Sequence, residues 1–258
     1  MASVKFLLVP RQALRAALAR WLRPHLHFTY TARSGLARGL RRRGGLGFLP
    51  GRPLTPEERW LAAQDWRGQV IYDVGAWEGV FTLFFARAVG EAGRVIACEP
   101  NPLTVARLRE NVALNGFDHV HLLTLALGEC DGRAGLAVPK GVAAMGHLVA
   151  EGASPVGVAV RRLDSLLAEL RLPDPDFIKL DVEGGELSVV RGGEGVLRRV
   201  RPRLLVEVHA TTPWPALWDF LSDLGYAMYA LEAQQWLGAP GTVTENSATW
   251  HILALPGC

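Results

Sequence analysis

The three cysteines, at 98, 130 and 258, are too scattered, and odd in number, for a disulfide framework or a zinc site; they fit a reducing cytoplasm. No apolar run approaches the ~20 residues of a membrane span. Phe6-Leu7-Leu8-Val9, closed by Pro10 and Arg11, is too short for the core of a secretion signal. Lysine is nearly missing, at 5, 140 and 179 only, and this arginine bias implies no function. Acid is missing altogether from residues 1–56, which hold eleven Lys and Arg. Residues 57–258 hold the other seventeen bases and all twenty-five acids, a balance of −8, so the net charge of +3 describes neither part. The basic segment permits contact with anionic lipid, nucleic acid or phosphorylated substrates, or packing on the acidic body. Two nucleotide signatures are missing as well. The lack of G-x-x-x-x-G-K-[ST] excludes a P-loop, and G-x-G-x-x-G is not found. His25, His27, His119, His121, His147 and His251 form no metal-ligand spacing, and no residue is assigned to a metal. There is no internal repeat and no signal for an oligomeric state.

What remains is an alternation of strands and helices, the pattern of a mostly parallel sheet with crossovers. Residues 1–54 read as a basic extension: a helix over 10–22 carrying Trp21, which permits peripheral membrane contact, a short strand at Phe28–Thr31, and a Gly/Arg-rich loop or irregular hairpin from Gly35 to Gly51. Residues 55–258 read as one α/β domain. Thr55-Pro56 starts a helix that carries Trp60, Leu61 and Trp66 toward the first strand, Val70–Val74. The second strand is Arg94–Glu99, followed by a helix capped by Asn101 with Leu103, Val105, Leu108 and Val112 apolar. His119–Leu127 is the third strand. Residues 128–156 are glycine-rich with weak periodicity and are expected to form hairpins or a loop over the site. Asp164 is expected to cap a helix through Leu170. Phe177–Glu183 is the fourth strand, Glu186 opens the next helix, and Leu204–His209 is the fifth strand. Pro213–Leu224 is a helix, and Tyr226–Leu231 and Thr249–Leu255 form a final antiparallel pair.

The chemistry gathers at the carboxyl ends of these strands, where ligands of doubly wound sheets sit. After Tyr72-Asp73-Val74 comes Gly75-Ala76-Trp77-Glu78-Gly79, a glycine turn that feeds a helix. Asp73 and Glu78 beside it would repel a pyrophosphate and suit a cation such as S-adenosylmethionine, whose carboxylate a helix amino terminus can hold. Glu99 ends the second strand twenty residues after Gly79, placed to accept ribose hydroxyls, and Pro100 can lie against an adenine. Alternation sets Lys179, Asp181 and Glu183 on one strand face, where unpaired burial would be costly. Glu186 suits a helix start as a cap or backbone anchor. Glu207 and His209 repeat the pattern on the fifth strand.

In this order the motifs Tyr72-Asp73-Val74-Gly75-Ala76, Glu99-Pro100-Asn101, Lys179-Leu180-Asp181-Val182-Glu183-Gly184-Gly185-Glu186 and Val206-Glu207-Val208-His209 resemble the FkbM family of S-adenosylmethionine-dependent methyltransferases, over roughly residues 55–255. The resemblance implies the class I methyltransferase fold, Rossmann-like, with a seven-stranded sheet whose last strand is antiparallel. It implies S-adenosyl-L-methionine as cofactor, held by Asp73, Gly75, Ala76, Trp77, Gly79, Glu99, Pro100, Asn101 and Asp181. It implies methyl transfer to a hydroxyl of a sugar or specialised metabolite, and points away from nucleic acid. Trp77 departs from the family turn, which usually has Asn there. His209 is the first choice of general base, because imidazole titrates near neutrality; Asp181 and Glu183 are the alternatives, as base or substrate clamp. A divalent cation held by carboxylates would do the same work. The competing readings are a nicotinamide-dependent oxidoreductase or epimerase on the same layers, and a nucleic-acid methyltransferase that uses the Arg-rich arm.

Overall fold

The computed structural model describes residues 28–45, 47–48, 53–138, 146–242 and 249–257. The expected helix over 10–22, with Trp21, lies outside the described residues.

The chain enters through a small antiparallel hairpin of β1 (Thr29–Thr31) and β2 (Arg41–Arg43). Helix α1 (Pro56–Ala62) follows, started by a capping box in which Thr55 and Glu58 serve each other's backbone. Then come β3 (Val70–Val74), α2 (Val80–Val89), β4 (Arg94–Cys98), α3 (Pro102–Ala113), capped by the Asn101 side chain, and β5 (Val120–Leu123). A side sheet is built from β6 (Ala126–Leu127), β7 (Gly132–Ala137), β8 (His147–Val149) and β9 (Gly157–Arg161). The main chain of folding resumes with α4 (Leu163–Leu170), β10 (Phe177–Leu180), α5 (Glu186–Gly192), α6 (Glu194–Val200) and β11 (Arg203–His209). It closes with α7 (Trp214–Asp223), β12 (Tyr226–Ala230), β13 (Gln235–Trp236) and β14 (Thr249–Pro256).

The main sheet runs β13-β12-β14-β11-β10-β3-β4-β5. Strands β5, β4, β3, β10 and β11 are parallel, and β14 runs antiparallel between β11 and β12. The expected antiparallel last strand is therefore present, but the described sheet has eight strands rather than seven. The extra one, β13, is two residues long and arises because the chain doubles back after β12. From β3 the chain winds outward one way through β4 and β5, then returns to wind the other way from β10. The switch between β3 and β10 opens the crevice that holds ligands in such sheets.

Packed apolar clusters flank the sheet, a third joining the hairpin to α2 and α3 through Leu40, Leu83 and Leu108. Trp66, Phe85 and Phe177 pack edge to face on one side with Trp60 stacked on Phe177. Leu163, Leu166, Val190, Leu197, Leu217 and Leu221 fill the other. Three sequence expectations are corrected here. The third strand is two pieces: Val120–Leu123 stays in the main sheet while Ala126–Leu127 pairs with β9. Leu103 is 84% exposed, because it sits in the first turn of α3, which presents Val105, Leu108 and Val112 inward instead. Asp164 does not cap α4; its carboxylate accepts the Gly195 and Val196 N–H groups at the start of α6, 3.1 and 2.9 Å away.

The hairpin is fastened to the body by two asparagines, Asn111 in the last turn of α3 and Asn115 just beyond its end. Asn115 bonds both backbone groups of Arg41 (2.9 and 2.8 Å), and Asn111 both of Arg43 (2.7 and 3.2 Å). They act as a short surrogate strand along β2. The same Asn111 amide donates to the Glu78 carbonyl at 2.9 Å, so hairpin, helix and glycine turn share one side chain. Arg42 and Arg43 approach Glu78 and Glu110 at 3.9 and 3.6 Å. Among the described residues no helix is long and apolar enough to cross a membrane.

Candidate active site

Gly75 sits where the two halves of the sheet part. Its φ is +84°, and a β-carbon there would lie 1.7 Å from the Asp181 carbonyl oxygen. Glycine is thus required twice, for conformation and for space. The turn β3–Gly75 and the turn after β10 therefore touch through backbone alone. Gly79, at φ +88°, is pressed instead against the Leu108 side chain. Gly184, at φ +103°, is pressed against Thr211.

Above this junction lies a cavity of about 670 Å³. Its wall includes Gly75, Trp77, Glu99, Pro100 and Asn101 on one side, and Asp181, Glu183, Gly184 and Glu207 on the other. Leu136, His147 and Leu148 of the side sheet close over it. The stretch expected to cover the site does so as a sheet, whose short irregular strands left no periodic signal. Among the described lining residues are four carboxylates, Glu99, Asp181, Glu183 and Glu207, and no Lys or Arg.

The expected site residues divide into those that reach the cavity and those that support it. Asp73 is fully buried beneath the turn: Thr82 donates to its Oδ2 at 2.5 Å, and its Oδ1 has no hydrogen-bond partner. Burial raises its pKa against the pull of Lys179 and Thr82. Glu78 faces Arg42 of the hairpin. The negative field expected from Asp73 and Glu78 thus comes from other acids. Ala76 is buried, its N–H bonded to the Cys98 carbonyl at 3.1 Å, and neither it nor Gly79 belongs to the lining. Glu99 accepts the Trp77 N–H at 2.9 Å and the Asn101 N–H at 2.8 Å, one per carboxylate oxygen. Each oxygen keeps a lone pair for a ligand hydroxyl. Burial raises the Glu99 pKa, and those two N–H groups oppose the rise. Trp77 is held at φ +46° by this bond and lines the cavity.

Strand β10 ends at Leu180, so Asp181 and Glu183 lie in the turn beyond it, not on a continuing strand face. Glu183 has φ +55°. Lys179, 2% exposed, donates to Asp181 Oδ2 at 3.1 Å and stands 4.3 Å over the Phe81 ring. Burial pushes its ammonium down, but Asp181, Asp73 and Glu207 outweigh that and hold it above the ordinary lysine range.

His209 is tied at one nitrogen and surrounded at the other. Its Nδ1 bonds Glu186 Oε1 at 2.9 Å. Its Nε2 stands 3.7, 3.6 and 3.7 Å from Asp181 Oδ1, Glu183 Oε2 and Glu207 Oε1. The ring lies one layer behind those carboxylates and does not itself line the cavity. Burial disfavours its charged form, yet Glu186, Asp181 and Glu207 raise its pKa above the usual imidazole value. Glu186, expected as a cap, is fully buried; besides His209 it accepts Thr212 Oγ1 at 2.5 Å and the Gly184 N–H at 3.1 Å. These bonds overcome burial and hold it below the ordinary glutamate range. Its bond to His209 was hidden because a helix-start acid has an ordinary local explanation, and only the fold brings the histidine to it.

Behind Glu207 lies a second group that no sequence spacing foretold. His251 on β14 bonds Glu232 at 2.6 Å through Nδ1, faces Glu207 Oε2 at 3.5 Å through Nε2, and has Glu57 at 3.8 Å. Burial pushes His251 down, but Glu207, Glu232 and Glu57 lift it to about 10. Glu207 in turn is driven to about 2, its burial overcome by His251 and Lys179.

Residues 73–228, more than half of the chain, match the methyltransferase FkbM domain. The chain is 28% identical over 149 residues to the 2-O-methyltransferase NoeI of Sinorhizobium fredii, covering 51% of this chain and 60% of that protein. It is 30% identical over 152 residues to the hexuronic acid methyltransferase AglP of Haloferax volcanii, covering 59% and 61%. It therefore spans about 60% of the length of these relatives. Among solved structures it resembles an FkbM methyltransferase of Methylobacillus flagellatus, with TM-score 0.50 and 18% identity, covering 78% of this chain and 50% of that one.

Proposed function

The chain belongs to the FkbM methyltransferase family, and from that premise we propose that it moves a methyl group from S-adenosylmethionine to a hydroxyl of a sugar or related metabolite. The observation that carries the proposal is the cavity at the β3/β10 switch, walled by four carboxylates and no Lys or Arg among its described residues. Such a wall attracts a sulfonium and an ammonium and repels a pyrophosphate, which disfavours a nicotinamide dinucleotide. The residues present fit the cofactor. Gly75 leaves backbone access where any side chain would strike Asp181. Glu99 offers acceptors for two ribose hydroxyls, and Trp77, Pro100 and Asn101 complete that wall. When bound, the cofactor supplies an electrophilic methyl on sulfur.

The remaining work falls to the chain's own side chains. A hydroxyl attacks only as its proton leaves, and a positioned base contributes typically ~10²–10⁴-fold. Asp181 and Glu183 face the cavity and can accept that proton or hold the hydroxyl. His209 stands directly behind them, its ring orientation fixed by Glu186 and its Nε2 turned toward both carboxylates. Leu136, His147 and Leu148 of the side sheet complete the cavity wall. The sugar class enters from the two relatives, one named for 2-O-methylation and one for a hexuronic acid.

The test is transfer of labelled methyl from S-adenosylmethionine to a panel of free and glycosidic sugars, hexuronic acids included. Label is expected as a methyl ether on at least one acceptor, with His209→Ala reducing turnover by about 10²–10⁴-fold and leaving S-adenosylhomocysteine binding intact. Label found only on nitrogen acceptors, or full turnover by His209→Ala, contradicts the proposal.

A further inference from the structure

The His209 Nε2 atom has three carboxylate oxygens around it and a hydrogen bond to none. Asp181 Oδ1, Glu183 Oε2 and Glu207 Oε1 stand at 3.7, 3.6 and 3.7 Å. A single N–H would commit to one of them at about 2.7–2.9 Å, as charge-assisted pairs do. One ligand atom from each of Asp181, Glu207 and His209 lies within 4.8 Å of the other two, as donors around a shared ion do. Ligand atoms about 2.1 Å from a tetrahedral ion stand about 3.4 Å apart, slightly less than the separations seen here.

A second feature is independent of that spacing. Asp181, Glu207 and His209 each have their far atom held by a partner in the protein interior. Asp181 Oδ2 accepts Lys179 Nζ at 3.1 Å. Glu207 Oε2 faces His251 Nε2 at 3.5 Å. His209 Nδ1 is bonded to Glu186 Oε1 at 2.9 Å. Carboxylate behind histidine, and cations behind carboxylates, is the outer support that fixes metal ligands and aims their free atoms. Glu207 and Asp181 also line the cavity, so an ion among them would meet whatever binds there. The neighbouring Glu57, Glu232 and His251 group can be composed as a metal site too. Its imidazole, however, is already engaged at Nδ1 by Glu232 and turned at Nε2 toward Glu207, and none of the three belongs to the cavity wall.

We propose that Asp181 Oδ1, Glu207 Oε1 and His209 Nε2 hold one divalent cation of a kind that accepts both oxygen and imidazole, such as Mn²⁺ or Zn²⁺, with Glu183 beside it. The ion's catalytic role rests on the methyl-transfer reading: it would bind the acceptor's oxygen and make its proton easier to remove. The binding site itself does not depend on that reading.

The experiment is Mn²⁺ titration of the full chain, stripped with chelator, followed by electron paramagnetic resonance. Each variant is also titrated with S-adenosylhomocysteine by calorimetry, as a check on folding and on the cofactor pocket. One Mn²⁺ per chain is expected, weakened at least tenfold in Asp181→Asn and Glu207→Gln and lost in His209→Gln, while Glu57→Gln retains it. Failure of the wild-type chain to bind Mn²⁺ overturns the proposal, as does binding that survives Glu207→Gln but is lost in Glu57→Gln. Mn²⁺ binding without S-adenosylhomocysteine binding keeps the metal site and rejects the cofactor reading. The opposite result does the reverse.

Discussion

Replacing Gly75 by alanine tests whether the cleft depends on backbone meeting backbone. The added β-carbon would stand 1.7 Å from the Asp181 carbonyl oxygen, where real contacts stay beyond 3.0 Å, so the two turns must part by about 1.3 Å. The left-handed φ of +84° adds about 1–2 kcal/mol for a residue with a β-carbon. Overpacking against a rigid carbonyl adds about 1–3 kcal/mol. Parting the turns also strains the Asp181 N–H to Val74 carbonyl bond, 3.0 Å long, worth about 1 kcal/mol. The sum is about 3–6 kcal/mol, or about 6–24 °C in melting temperature for a chain of this size. Gly79→Ala is the control, since its new atom meets a movable Leu108 methyl at 2.4 Å. Its damage should couple to Leu108→Ala in a double-mutant cycle, whereas that of Gly75→Ala should not. Thermal melts followed by circular dichroism, with S-adenosylhomocysteine titration of each variant, read both effects. A Gly75→Ala protein melting within about 2 °C of wild type and binding as tightly would refute this account of the cleft.

Three further outcomes follow from other parts of the molecule. Glu186→Gln removes the group that orients His209, so turnover should fall about ten- to a hundredfold with S-adenosylhomocysteine affinity unchanged; an unaltered kcat would make Glu186 merely structural. Burial pushes the Cys98 thiol up to about 12, so at pH 8 iodoacetamide should label exposed Cys130 and spare Cys98, as peptide mass spectrometry would show; equal labelling contradicts this. Burial lifts Tyr226, whose hydroxyl donates to the Pro202 carbonyl at 3.0 Å, to about 12. Below pH 10 folded and unfolded chains both keep that proton. Between 10 and about 12 only the folded chain does, so stability should fall as pH rises, by at most about 3 kcal/mol. Tyr226→Phe should flatten that alkaline decline, and an unchanged slope in urea melts would show that Tyr226 does not set it.

The parallel strands and their cavity-lining ends were legible because each carries a local signal: an apolar run, then glycine or acid. Gly75, Glu99, Asp181 and Glu207 could be read this way and do converge on one cavity. The direction each acid faces was not legible, since Asp73 and Glu78 flank the same turn as Gly75 yet point into the interior and toward the hairpin. Asp164 looked like the cap of its own helix and proved to serve the start of another, a choice made by tertiary contact. The side sheet was obscured by strands of two to six residues with no steady alternation. His251, Glu232 and Glu57 come from three distant segments, and no spacing rule joins them.

Calorimetric titration of the full chain with S-adenosylhomocysteine and, separately, with NAD⁺ tests the cavity's chemistry most directly. The account predicts one saturable S-adenosylhomocysteine site, weakened at least tenfold by Glu99→Ala, and no heat from NAD⁺. Saturable NAD⁺ binding with none of S-adenosylhomocysteine would contradict it.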